Sequence, residues 1–183
     1  MSKKTIKNLF QAIEDGNIDL VKQIIGVDAD ALECEGVGKV MFSGKTPLIY
    51  ALQCGQTNIA LFLLENHANA NAKMSDSWRW PTLHFAVRTA VSVDSKPEDL
   101  HVLERMLTFG ADPNATDAFG NTALDRSLLD YKKDCDAWKV IQVLVDAGAN
   151  QANVGGSKMT TRELVSTNPH AFSSKVRSIM GIG

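Results

Sequence analysis

No stretch of this chain approaches the roughly 18 consecutive apolar residues that a membrane-spanning helix needs. Cysteine is scarce. Cys34, Cys54 and Cys135 are widely spaced and odd in number, which argues against a disulfide framework and for a reducing compartment. An excess of one charge sign is missing as well. Lys+Arg 19 against Asp+Glu 21 leaves a net charge of −2, so no general field draws in nucleic acid or a membrane surface. The start, Met1-Ser2-Lys3-Lys4-Thr5, is basic but lacks the apolar run of a secretory signal.

Recognisable chemistry is equally sparse. His67, His84, His101 and His170 show no C-x-x-C or H-x-x-x-H spacing, so no metal site is expected. Ser43-Gly44-Lys45-Thr46 has Lys39 where a phosphate loop needs a glycine, and no cofactor is expected. Carboxylates such as Glu14, Glu35, Asp76, Asp117 and Asp125 are scattered and form no nucleophile–base pair. No catalytic residue is assigned, and the chain does not read as an enzyme.

What the sequence does have is repetition. Thr46-Pro47-Leu48-Ile49-Tyr50-Ala51 opens one block and Leu63-Leu64-Glu65-Asn66-His67-Ala68-Asn69-Ala70-Asn71 closes it. Pro81-Thr82-Leu83-His84-Phe85-Ala86 and Met106 to Asn114 bound the next, and Gly120 to Asp125 and Leu144 to Asn150 a third. The openings Thr46, Pro81, Thr122 and, more weakly, Thr160 are spaced by 35 to 41 residues. Ala12 to Ile25 matches Ala51 to Leu64, which adds a first block without the opening phrase. A unit of this kind cannot bury its apolar face alone, so the blocks must stack.

Each phrase has a local chemistry. Thr46 suits an N-cap and Pro47 the first helical position. Ile59, Phe62 and Leu63 form the stripe of a half-buried second helix. Gly110 and Gly148 read as left-handed helix ends, with His67 replacing glycine at that place in the second block. Trp138, with Ile141, Leu144 and Val145, is assigned to the core.

The T-P-L-H-x-A opening and the L-L-x-x-G-A-D/N-x-N closing resemble ankyrin repeats over nearly the whole chain. The resemblance implies an all-α, ankyrin-type α-solenoid of helix-turn-helix repeats with β-hairpin or loop fingers. Four to five repeats are expected in a single domain over 1–183: an N-terminal cap at 4–40, then 41–75, 76–116 and 117–154, and a degenerate C-terminal cap at 155–180. Gly181 to Gly183 are expected to fray.

The resemblance also implies a binding face made of the fingers and the exposed side of the first helices, and a protein as the partner. Counting back from the openings places Phe42 and Lys45, then Trp78, Arg79 and Trp80, then Phe119 in the fingers. Gln53, Arg88, Leu129 and Asp130 fall on the first helices. Large aromatics on such a face are what binding hot spots are made of. The expectation is a monomeric, cytoplasmic adaptor, inhibitor or scaffold that binds neither nucleic acid nor membrane. Two alternatives stand beside it: a secreted effector acting on a host protein in the host cytosol, and a ligand or enzymatic pocket built by the inter-helix insertions 90–97 and 131–135.

Overall fold

The computed structural model describes residues 1–37, 42–92, 95–131 and 137–182. Helices come in pairs: α1 (Lys3–Glu14) with α2 (Ile18–Val27), α3 (Pro47–Gln53) with α4 (Thr57–Glu65), and α5 (Thr82–Ala90) with α6 (Pro97–Thr108). Then follow α7 (Ala123–Leu129) with α8 (Ala137–Asp146), and α9 (Thr161–Thr167) with α10 (Ser174–Ile179). The odd-numbered helices pack successively against one another in one layer and the even-numbered ones in a second. The core lies between the layers, filled by Phe10, Ile13, Leu48, Ile59, Leu63, Leu83, Leu103 and Met106.

The opening residues start their helices as hydroxyl chemistry dictates. Thr46 Oγ1 accepts from Ile49 N–H, Thr122 Oγ1 from Asp125 N–H and Thr160 Oγ1 from Glu163 N–H. Asp125 and Glu163 return the favour, accepting from Thr122 N–H at 2.7 Å and Thr160 N–H at 2.8 Å. Pro81 has no hydroxyl to offer. There the following Thr82 instead donates its own hydroxyl to Ala72 O at 2.7 Å.

The closing phrase joins neighbouring repeats. Asn71 Nδ2 donates to Gly110 O at 2.8 Å while its Oδ1 accepts from Asp112 N–H at 2.8 Å. Asn114 makes the same pair of bonds to Gly148 O and Asn150 N–H one repeat later. The first block has no such asparagine, and Glu33 Oε1 accepts from Asn69 N–H in its place.

Three expectations need correction. The glycines Gly36, Gly38 and Gly44 predict an extended or mobile connector from Gly26 to Ser43, yet Ala29–Glu33 form a 3-10 helix that buries Ala31. Gly36 then bridges to Ser43, and a Cβ on it would lie 2.2 Å from Phe42 O, so only glycine fits. Trp138 is half-buried against the core rather than enclosed by it, with Lys175 Nζ 4.2 Å from the ring centroid. Gly181 and Ile182 are tied down, since Arg162 Nη2 donates to Gly181 O and Ile182 N–H to Arg177 O, while Gly183 lies outside the described residues.

At the ends of α6 and α8, Gly110 and Gly148 take φ of 84° and 86°, while His67 after α4 is held at 68°. A side chain in that region costs roughly 1 kcal/mol. His67→Gly is therefore expected to raise stability by about 0.5 kcal/mol once the looser unfolded chain is counted, read as a later urea midpoint.

Candidate protein-binding face

The fingers precede α3, α5, α7 and α9. Among the described residues they form no strand, only isolated bridges such as Lys73 with Pro81 and Val154 with Thr160. They are nonetheless ordered by short polar side chains. Asp76 Oδ1 accepts from Trp78 N–H and Arg79 N–H, both at 3.0 Å. Asp117 Oδ1 accepts from Phe119 N–H at 2.8 Å and Asn121 N–H at 3.0 Å. The same Asp-x-aromatic turn thus occurs in two successive fingers.

Those fingers are also docked on each other. Ser75 N–H donates to Gly44 O, Ala118 N–H to Trp78 O, and Gly156 N–H to Asn121 Oδ1. In consequence the Trp78 and Phe119 rings meet at 5.3 Å between centroids with 58° between planes. They remain 52% and 53% exposed, one aromatic ledge on the finger row.

The other sequence-assigned residues divide. Arg79, Gln53, Arg88 and Asp130 are exposed, and Leu129 is 52% exposed on α7. Trp80 is only half accessible. Its ring lies 5.4 Å from Phe85, with the Arg126 guanidinium 4.6 Å from its centroid. Phe42 is not a surface anchor. It is fully buried, with Phe10 at 5.4 Å and Tyr50 at 5.1 Å between ring centroids. Lys45 is not a rim charge either: it is buried, its Nζ 5.7 Å from the Tyr50 ring centroid, and burial pulls its pKa down.

The reason lies in register. The residue just before each of these openings is held inward, with Lys45 and Asn121 buried and Trp80 partly so. The fourth residue back is buried only as Phe42, whereas Ser77 and Ala118 at that place are exposed. The third turns outward, and there stand Ser43, Trp78 and Phe119. The left-handed residue between the third and the first breaks the alternation of an extended segment, so this two-residue step changes sides.

Sequence reasoning missed the support beneath the ledge. Asp117 is buried and accepts from Arg126 Nη2 at 3.0 Å and from Asn121 Nδ2. Burial alone would raise its pKa. Hydrogen bonds from the Asn121 backbone and side chain, Arg126 and Phe119 N–H outweigh that and hold the carboxyl below its ordinary value. Asn153 Nδ2 links this finger to the next by donating to Asp125 Oδ2 at 2.8 Å and to Gly120 O.

On the exposed side of the first helices, a hollow of about 310 Å³ is lined by Gln53, Cys54, Gly55, Phe85, Arg88, Thr89 and Ser92. Burial keeps the Cys54 thiol above its ordinary pKa, so the thiol is a weak nucleophile. Among the described residues, only Ser92 of this lining comes from the insertion at 90–97. Asp94, Lys132, Lys133, Asp134 and Cys135 of the proposed pocket lie outside the described residues.

A family model described as ankyrin repeats in three copies matches residues 9–94. That stretch is made of ankyrin repeats. The fold of the chain is an ankyrin-type helical solenoid, and the matched stretch runs from within α1 to just past α5. Two curated ankyrin-repeat proteins are similar to it. The E3 ubiquitin-protein ligase KEG of Arabidopsis thaliana is 27% identical over 153 residues, which cover 84% of this chain and 8% of the ligase. Myotrophin of Xenopus tropicalis is 36% identical over 63 residues, covering 34% of this chain and 48% of that protein. The match therefore spans less than half of either relative. Ankyrin repeats generally serve as protein–protein interaction modules.

Proposed function

We propose that this chain is an adaptor, inhibitor or scaffold, without enzymatic activity, that clasps one partner protein through its finger row and the exposed side of its first helices. The observation that supports this most is the ledge of Trp78 and Phe119. Two large rings are left half in water, although the turns that carry them are held by hydrogen bonds to the Asp76 and Asp117 carboxylates. A preorganised aromatic seat costs little ordering on association. Gln53, Arg88, Leu129 and Asp130 beside the hollow extend the contact, and Arg79 lies next to the ledge. A single domain of four to five repeats belongs to the same proposal. So do a monomeric state and a cytoplasmic setting, which suits the free thiols of Cys34 and Cys54.

The test is a paired substitution, Trp78→Ala with Phe119→Ala, measured against a partner recovered with the wild-type protein. Affinity is expected to fall at least roughly thirtyfold. Folding stability should fall by only about 1 kcal/mol, the worth of one exposed ring pair. Unchanged affinity in a folded variant would reject this face.

A further inference from the structure

We propose that the finger row selects an acidic segment of the partner, with a large apolar side chain of that segment seated on the Trp78–Phe119 ledge. The inference rests on the protein-binding reading above and names the chemistry of what is bound.

It comes from one backbone position. The residue two before each opening is left-handed in all four fingers: Gly44 at φ 72°, Arg79 at 48°, Gly120 at 78° and Lys158 at 60°. Glycine takes this conformation freely, whereas a side chain there is strained. Two fingers use glycine. The other two, on either side of the Phe119 finger, hold a cation instead.

Neither cation repays the strain within the fold. Both residues are exposed, and among the described residues their side chains have no hydrogen bond or ion pair. Only their backbone N–H groups are used, Arg79 toward Asp76 and Lys158 toward Gly155 O. Strain kept without an internal return points to an external one.

Most of the surrounding charges agree in sign, the exposed Glu35 on Ser75 Oγ being the exception. The carboxylates of these fingers turn inward, Asp76 onto its own turn and Asp117 onto Asn121 and Arg126. Lys73 is exposed beside them, its Nζ donating to Thr116 O at 2.9 Å. Gly156, two residues before Lys158, packs against Phe119, so the last finger adjoins the ledge. The row therefore offers positive charge around an apolar seat, which complements carboxylates flanking a large apolar side chain. An overall charge of −2 favours such a local segment over a phosphate backbone, which is held by a continuous basic field.

The experiment pans a displayed random peptide library against the full chain, then compares Arg79→Gly with Lys158→Gly in one variant. Peptides rich in Asp and Glu around Trp, Phe or Leu should be enriched. They should bind the double-glycine variant roughly tenfold more weakly at low salt, with the gap closing as salt rises. The same variant should melt about 2–4 °C higher, so weaker binding cannot come from misfolding. Enrichment of basic or uncharged peptides, or equal affinity for the variant, overturns the selection of acidic segments. If Trp78→Ala with Phe119→Ala abolishes binding while the glycine variant binds normally, the face stands and the charge preference fails. A library that yields nothing overturns both. A fluorescent single-stranded oligonucleotide that outcompetes the acidic peptides assigns the row to nucleic acid and likewise ends the proposal.

Discussion

Asp117→Ala is expected to cost about 3 kcal/mol of folding stability, more than any other single change in the fingers. The carboxylate sits under the ledge and receives four groups: the N–H of Phe119, the N–H and amide of Asn121, and Arg126 Nη2. Removing it strands a guanidinium that is only 21% exposed and already has a buried Nε without a partner. It also frees the turn that presents Phe119. Urea unfolding measures the loss, and Trp fluorescence reports the environment of Trp80 next to Arg126. A cost below about 1 kcal/mol would mean that water replaces the carboxylate readily and that the ledge does not depend on it.

Acid is expected to weaken the fold through His84. The imidazole is enclosed between repeats, and neither ring nitrogen has a hydrogen bond of good geometry. Burial lowers its pKa from 6.5 to about 4, against the pull of Asp117 and the Ala115 backbone toward the protonated form. Arg126 and Lys73 push the other way, with burial. Between those two values the unfolded chain binds a proton that the folded chain refuses. Stability is therefore whole above pH 6.5, declines as the pH falls toward 4, and has lost roughly 3 kcal/mol from this residue below that. Asp117, whose folded pKa is depressed, adds a further loss at still lower pH. Unfolding midpoints of the wild type and His84→Gln, compared from pH 7 to pH 4, isolate the His84 contribution. Parallel curves would remove His84 from the account.

Much of the architecture was legible because the informative residues act locally. A threonine that caps, a proline that follows it and a glycine past the helix end each work within one turn of helix. Their order therefore carried the pairing of α3 with α4 and of α5 with α6 directly. The candidate face was legible only in part. Trp78 and Phe42 look alike as letters in a finger, yet the first faces water and the second packs onto Phe10 and Tyr50. Counting from the opening position separates Lys45, one before it, from Trp78 and Phe119, three before it, but not Phe42 from the exposed Ser77 and Ala118. Nothing local announces the Asp117–Arg126–Trp80 stack, which joins residues from two fingers and a helix. Arg79 and Lys158 were visible as basic residues, but their left-handed backbone emerges only when four fingers are superposed on one count.

The asparagine clamps have a mechanical consequence. Asn71 and Asn114 each pin the following repeat by two bonds, so the middle of the solenoid should yield as one block. In place of that clamp, the joint after α2 has among the described residues an exposed carboxylate bond from Glu33 and a long one from Gln56 Nε2 to Glu14 O at 3.4 Å. Pulled or warmed, the molecule would peel from its amino-terminal leaf, and the ledge would be among the last parts to feel it.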